Sequence, residues 1–194
     1  MKRAISALLA AVVLALNFAA CDLSPKATPV DEFTYAVANG NSINIISYDG
    51  DRTVVVMPDE IEGYPVKYVQ LRAFTDSKVK TLYVNGTMGE IYGTAFFGCS
   101  TLENVIIREG VTNIRGDAFK CCENIKKVTV AESVTNVGNE AFPSVVEATF
   151  LGDASKGFGD SSFGYGSTVR YKKDASGWGK IVDYYNSIYN FVEY

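Results

Sequence analysis

The sequence predicts a β-rich repeat solenoid with a β-hairpin cap in front and a helical cap behind. Two patterns with a common interval predict it. The first is the dipeptide Ala-Phe, which recurs after 22, 23 and 23 residues, at Ala73-Phe74, Ala95-Phe96, Ala118-Phe119 and Ala141-Phe142. The second is an apolar pair four and seven positions before each alanine, at Val66/Val69, Met88/Ile91, Val111/Ile114 and Val134/Val137. Such intervals are typical of solenoids, in which each repeat packs only on its neighbours.

A short β-branched segment follows each dipeptide and predicts one strand per repeat. These segments occupy residues 79–84, 102–107, 125–130 and 145–150, with a weaker fifth copy at 166–171. They share apolar residues at the first, fourth and sixth places, and the alternation between the last two has the period of a strand with one buried face. Strands stacked ~4.8 Å apart would place these residues in one core column. The phenylalanines would fill the opposite side of four to five coils.

Both ends of the array carry segments that can cap it. Residues 33–57 contain two apolar runs around Asn39-Gly40, which is a strong signal for a β-hairpin. Near the end of the sequence, apolar residues at spacings of three and four predict an amphipathic helix: Trp178, Ile181, Val182, Tyr185, Ile188 and Tyr189. We interpret this helix as a cap on the final coil, and an aromatic surface for carbohydrate or membrane contact is the alternative.

The first residues have the pattern of an export signal. Lys2 and Arg3 precede a run of small and apolar residues at positions 4–16, which is short for a permanent membrane span. Phe18-Ala19-Ala20-Cys21 resembles the lipobox of bacterial lipoproteins. That resemblance implies a signal peptide at residues 1–20 and lipid attachment at Cys21. The alternative is an ordinary signal peptide cut near Ala20, with Cys21 left as a thiol.

Residues 21–32 read as a flexible linker, because the segment contains two prolines and little that could pack. The folded domain is predicted to span residues 33–194. Within it, residues 33–57 form the β cap, about 58–171 the repeats and 172–194 the C-terminal cap.

The repeats resemble a known family. The best copy is Val111-Thr-Asn-Ile-Arg-Gly-Asp-Ala-Phe-Lys-Cys-Cys-Glu-Asn-Ile-Lys-Lys-Val128, and residues 33–180 as a whole are similar to the BspA-like leucine-rich repeats. The resemblance implies a right-handed superhelix on an exported or cell-surface protein that contacts other molecules. The copies around Phe142 and Phe163 lack the cysteine of that pattern.

The composition argues against catalysis. The chain has no histidine, which removes the commonest general base, the commonest metal ligand and every Ser/His or Cys/His nucleophile. We find no phosphate-binding glycine loop and no carboxylates at metal-like spacing, so we expect a non-enzyme without cofactor or metal. The net charge of −4, without a basic cluster, makes nucleic acid an unexpected partner.

Two cysteines occupy the same place in successive repeats. Cys99 and Cys122 each follow the repeat phenylalanine by three residues, so stacking would place one above the other. They could form a disulfide, since adjacent coils bring Cα atoms to a suitable separation, or a ladder of buried thiols. Cysteine at this position is a feature of the BspA-like pattern even in isolated copies, which favours the ladder. Cys121 would then point to solvent.

The outward strand positions form the candidate binding surface. Alignment of the repeats gives three outward columns: Tyr83, Ile106, Thr129, Thr149 and Arg170; Thr81, Asn104, Lys127, Glu147 and Thr168; Lys80, Glu103, Lys126, Val146 and Ser167. Tyr83 and Ile106 form an apolar pair, and exposed apolar patches often mark interfaces. We therefore predict binding through Tyr83, Ile106, Asn104, Lys127 and Arg170. Alternatively, the charges merely satisfy one another across strands.

The leading hypothesis is an exported, lipid-anchored protein of the bacterial cell envelope, in the outer membrane or at the cell surface. It would bind a protein or glycan partner and touch the membrane only through its lipid. The alternative is a structural or accessory envelope subunit that docks on one dedicated partner.

Overall fold

The computed structural model describes residues 25–154, 157–159 and 161–194. The predicted signal peptide and Cys21 lie outside these residues. The described chain runs through fifteen strands, one α-helix and two short 3-10 helices at Val30–Glu32 and Gly86–Met88. The strands and the α-helix, in chain order, are β1 Phe33–Ala38, β2 Ser42–Tyr48, β3 Val54–Val56, β4 Glu60–Ile61, β5 Tyr64–Val69, β6 Thr81–Val84, β7 Glu90–Ile91, β8 Asn104–Ile107, β9 Asn113–Ile114, β10 Lys127–Val130, β11 Asn136–Val137, β12 Glu147–Phe150, β13 Gly157–Phe158, β14 Thr168–Tyr171, α1 Trp178–Tyr185 and β15 Asn190–Glu193.

One parallel sheet forms a side of the solenoid, and we call it the main sheet. In the described part of the chain its order is β3-β6-β8-β10-β12-β14-β15, one strand per coil. The aligned apolar positions stack in register: Val105 pairs with Leu82 on one side and Val128 on the other, and all three are buried. These stacked parallel strands confirm the predicted solenoid fold class. Connections between parallel strands of one sheet are right-handed as a rule. The sheet has more rungs than the predicted four to five coils because β3 and β15 extend it.

A second, narrower sheet and a column of phenylalanine rings form the opposite side of the coil. The sheet pairs β7, β9, β11 and β13 in parallel, with two residues per strand. The column contains the phenylalanine of each repeat dipeptide. Successive ring centroids are 5.6, 4.8, 4.6 and 5.9 Å apart along Phe74, Phe96, Phe119, Phe142 and Phe163. The alanine before each of the first four rings is almost fully buried, and so is Ser162, which precedes Phe163.

Each coil also makes a tight turn, although the residue at the turning position is not a glycine. The residue directly before each Ala-Phe has a positive φ, between 53° and 66°, at Arg72, Thr94, Asp117 and Glu140. Left-handed backbone is disfavoured for residues with a side chain, and most of all for β-branched threonine. Four repetitions indicate that the stacked coils impose this turn regardless of local preference.

The front cap is the predicted hairpin. Strands β1 and β2 pair antiparallel around Asn39-Gly40, both in left-handed backbone, and β2 continues parallel onto β5 of the first coil. The structure places β3, however, within the main sheet rather than in the cap. The segment that we read as a flexible linker is also packed at its end, because Thr28 is buried and bonded to Val56.

The back cap combines a helix with a strand. Helix α1 buries Trp178 and Tyr185 as predicted, and the Trp178 ring stacks on Tyr171 at 4.9 Å. The helix is shorter than the apolar spacing predicts, since it ends at Tyr185. Ile188 and Tyr189 lie in a turn, after which β15 adds a rung to the main sheet. Among the described residues, no helix has the length and apolar character needed to span a membrane.

Candidate interaction surface

The outer face of the main sheet consists of the strand side chains that point away from the core. Strand pairing confirms two of the predicted outward columns. Tyr83, Ile106, Thr129, Thr149 and Arg170 occupy successive partner positions, and so do Thr81, Asn104, Lys127, Glu147 and Thr168. Side chains on adjacent rungs therefore lie about 5 Å apart.

Tyr83 and Ile106 lie side by side in the first of these columns, but both are half-buried rather than exposed. The guanidinium of Arg108 lies 6.0 Å from the centre of the Tyr83 ring and covers part of it. The apolar area is thus smaller than the sequence suggested. It is a half-buried patch bordered by a cation.

Asn104 and Lys127 lie beside this pair in the second column. The Asn104 amide donates to the Thr81 hydroxyl at 3.4 Å, and the Lys127 ammonium lies 3.7 Å from a carboxylate oxygen of Glu147. Lys127 is exposed, so its charge remains accessible to a partner. Polar groups around a partly apolar centre match the rim of an ordinary protein interface.

Arg170 belongs to the same face but not to the same cluster. Thr129 and Thr149 separate it from Ile106, which corresponds to about 14 Å at the spacing of a sheet. Its guanidinium lies 5.5 Å from the centre of the Tyr194 ring instead. The structure therefore brings together four of the five predicted surface residues and leaves Arg170 near the back cap.

The third predicted column is correct only in part. Lys80, Glu103 and Lys126 follow one another as expected, but Ser167 is buried. Its hydroxyl donates to the carbonyl oxygens of Val145 and Gly164, at 2.6 and 2.5 Å. Ser167 keeps its place in the backbone ladder, since the Thr168 N–H donates to the Val146 carbonyl oxygen as the Glu147 N–H does to that of Lys126. Its short side chain bonds to nearby carbonyl groups and is covered.

Two ammonium groups flank the Glu103 carboxylate. Lys80 lies 3.1 Å from one of its oxygens and Lys126 lies 3.5 Å from the other. The hydrogen bond from Lys80 is the main cause that lowers the pKa of Glu103, and the charge of Lys126 adds to it. The site is solvent-exposed, so its contribution to stability is small and sensitive to salt.

We expect the carboxyl of Glu103 to titrate below the ordinary range for glutamate when followed by NMR. A folded-state pKa below the unfolded one means that the stabilising effect is present above the unfolded pKa and disappears as the pH falls through the folded one. Lys80→Met should raise the midpoint towards the ordinary value. Lys127→Met removes a neighbouring cation that pairs with Glu147 and should change it far less. Equal shifts in both variants would contradict the assigned pairing.

The stacked cysteines are free thiols in the structure. Cys99 and Cys122 are buried and Cys121 is exposed, as expected of a thiol ladder. The Cys122 thiol donates to the carbonyl oxygen of Phe96 at 2.9 Å. A hydrogen bond with Cys122, together with burial, raises the pKa of the Cys99 thiol. Both thiols are buried within the coil, which gives this pair the character of core packing.

Sequence reasoning missed a polar ladder on the second sheet. The Asn136 amide donates to the Asn113 side-chain oxygen at 2.5 Å, and Asn113 in turn donates to Glu90. Arg115 also donates to Glu90 and lies 6.0 Å from the centre of the exposed Tyr92 ring. The recurrence of asparagine directly before Ile114 and Val137 was the available signal.

In the part of the chain that the structure describes, no cluster of three potential metal ligands occurs.

Stacked rungs, a ring column and a broad sheet face define the chain as a repeat-solenoid protein. The family model of the BspA type leucine rich repeat region matches residues 60–165 in six copies. The chain therefore belongs to the BspA-type leucine-rich-repeat family.

Two solved structures resemble the chain. The leucine-rich repeat protein of T. pallidum is 26% identical, with a TM-score of 0.59 over 75% of this chain and 71% of that one. A leucine-rich cell surface protein from Faecalibacterium prausnitzii is 19% identical, with a TM-score of 0.44 over 79% of this chain and 56% of that one. No curated protein matches the sequence significantly.

Proposed function

We propose that the chain is an exported, lipid-anchored protein of the bacterial envelope that binds a protein or glycan partner without catalysis. The contact surface is the outer face of the main sheet around Tyr83, Ile106, Asn104 and Lys127. The observation that carries the proposal is the apolar pair on adjacent rungs, bordered by the guanidinium of Arg108 and the accessible charge of Lys127. In protein interfaces a few central residues, with tyrosine and arginine among the commonest, supply most of the binding energy, and a polar rim surrounds them.

The envelope location rests on the N-terminal pattern. The basic start, the apolar run and the small residues before Cys21 resemble a lipoprotein signal. Acyl chains on Cys21 would contribute ~0.8 kcal/mol per buried methylene, enough for stable anchoring when more than one chain is attached. Protease shaving of intact cells, with mass spectrometry of the Cys21 fragment, tests this part. Release of peptides from residues 33–194, with an acylated Cys21 fragment retained, is the expected result, and full protection until lysis contradicts surface display.

We expect the double substitution Tyr83→Thr with Ile106→Thr to weaken partner binding at least tenfold. Threonine already occupies two later positions of this column, so the strands should form unchanged. Binding to immobilised extracellular-matrix proteins and polysaccharides is measured for both the variant and the parent chain. Val146→Thr is the matched control, because it removes a 61% exposed apolar side chain at the edge of the same face.

The substitutions test the proposed surface, and cross-linking separates the two hypotheses about the partner. Loss of binding in the double variant but not in Val146→Thr supports the proposed surface, provided that thermal unfolding confirms both folds. Unchanged binding in the double variant contradicts it. Cross-linking in the native membrane that captures one stoichiometric envelope protein would favour the accessory-subunit role over binding of an external ligand.

A further inference from the structure

The outer face of the main sheet is basic, although the chain as a whole is acidic. Together with Arg108, the three outward columns carry two acidic side chains and five basic ones: Glu103, Glu147, Lys80, Arg108, Lys126, Lys127 and Arg170. The net charge of the whole chain is −4. The acidic excess therefore lies elsewhere on the molecule, and this face attracts anionic partners.

The two arginines of this face differ from its lysines in their contacts. The lysines lie beside the two glutamates. Within the described part of the chain, no carboxylate pairs with either guanidinium. Arg108 and Arg170 instead lie over tyrosine rings, 6.0 Å from the centre of Tyr83 and 5.5 Å from that of Tyr194. Such a contact holds a guanidinium in place without neutralising its charge.

These arginines form the two ends of one strip across the face, which we call the arginine strip. Arg108 directly follows β8 and Arg170 lies in β14, so three rungs separate them, about 14 Å along the stack. Thr129 and Thr149 occupy the two rungs between them in the outward column, and both are half-buried. The centre of the strip thus carries hydroxyl groups, and each end carries a cation over an aromatic ring.

We propose that the arginine strip binds an acidic polysaccharide. This inference rests on the proposed function, because it uses the same sheet face and names the chemical class of its partner. A guanidinium presents two parallel N–H donors that match a carboxylate. Threonine hydroxyls both donate and accept hydrogen bonds, as sugar hydroxyls do. The tyrosine faces at the two ends are apolar and can pack against the C–H face of a sugar ring.

A protein with an acidic surface is the competing partner, and the centre of the strip argues against it. The core of a protein interface is depleted of charge and enriched in large apolar side chains. The arginine strip has the reverse arrangement, with the hydroxyls of Thr129 and Thr149 at its centre and a charge at each end. A linear polysaccharide carries charges and hydroxyls along its whole length, so it can contact both ends and the centre at once.

Three polymers test the class of ligand on the full chain, solubilised in detergent and immobilised on a sensor. Polygalacturonate is the acidic polysaccharide, its methyl ester has the same sugars without the charge, and polyglutamate has the charge without the sugars. We expect polygalacturonate to bind at least tenfold more tightly than either of the others. Its binding should weaken at high salt, because screening reduces the attraction between exposed charges. Equal binding of polyglutamate would overturn the proposal in favour of an acidic protein.

Paired arginine substitutions test the site. Arg108→Gln with Arg170→Gln should weaken binding of polygalacturonate at least tenfold. Arg72→Gln with Arg115→Gln is the matched control, because it removes the same charge from two arginines that lie over Phe97 and Tyr92, outside the main sheet. It should change binding far less, and thermal unfolding confirms that both variants fold. Equal losses in the two variants would mean that overall charge, not the strip, attracts the polymer, and would overturn the proposal.

The outcomes also separate this inference from the proposed function. Absence of polygalacturonate binding would overturn the acidic polysaccharide. If a matrix protein then bound the chain and lost binding in Tyr83→Thr with Ile106→Thr, the proposed face would stand and the class of partner alone would be wrong.

Discussion

Replacement of Phe119 by alanine is expected to lower the free energy of unfolding by about 3–5 kcal/mol. The Phe119 ring has no exposed surface and lies between those of Phe96 and Phe142, at centroid distances of 4.8 and 4.6 Å. Its removal leaves a cavity in the middle of the ring column, and the two neighbouring rings belong to rungs that hydrogen bonds hold in place. Urea unfolding followed by circular dichroism measures the change.

Phe97→Ala is the matched control for this prediction. Phe97 is half-buried at the surface of the coil, where the Arg72 guanidinium lies 5.5 Å from its ring centre. Its removal deletes the same atoms but opens no internal cavity, so the loss should be about 1 kcal/mol or less, as for a surface substitution. Similar losses in the two variants would mean that the ring column does not stabilise the solenoid as a packed core.

The repeat core was predictable because one unit of structure recurs as one unit of sequence. Val111, Ile114, Ala118 and Phe119 each occupy a position that also appears in the neighbouring coils, and all four are fully buried. Because the coils stack, residues that are one repeat apart in sequence occupy equivalent positions in successive coils. A single alignment of the repeats therefore predicts both strand register and the inward face.

The ends of the array were harder to predict because they depend on contacts that do not recur. Thr28 lies in a segment whose composition resembles a spacer, yet it is buried and bonded to Val56 at the edge of the main sheet. The apolar spacing that continues to Tyr189 suggested a longer helix. Burial of Tyr189 comes instead from the last coil, and the chain then turns to form β15.

The sequence predicted which residues form the columns of the candidate surface, but not how exposed each side chain is. Strand periodicity places Tyr83 and Ile106 on the outer face, yet their exposed fractions depend on neighbours such as Arg108, which the column pattern does not include. The ladder from Glu90 to Asn136 was missed because its side chains bond to one another across coils 23 residues apart. The strand period predicts the face to which a side chain points, whereas its contacts with neighbouring side chains determine how exposed it is.

Gly86→Ala is expected to destabilise the protein by about 1–3 kcal/mol or more, the range for forced overpacking. A β-carbon at this position would lie 1.8 Å from the carbonyl oxygen of Glu109 in the next coil. That atom belongs to the backbone and cannot move aside as a flexible side chain could. Gly110 makes the reciprocal approach, since its own β-carbon would lie 2.7 Å from the Gly86 carbonyl oxygen and its φ is +102°. The two glycines thus allow adjacent coils to touch through their main chains.

Gly179→Ala provides a control with the opposite sign. Gly179 is exposed within α1, and a β-carbon there meets no atom within 4 Å. Alanine should stabilise the helix by about 0.5–1 kcal/mol, because glycine loses more backbone entropy on folding. Thermal unfolding of both variants should therefore shift in opposite directions. An unchanged unfolding temperature for Gly86→Ala would mean that the coils can separate at this contact without loss of stability. The close approach of the two backbones would then not explain why this position is a glycine.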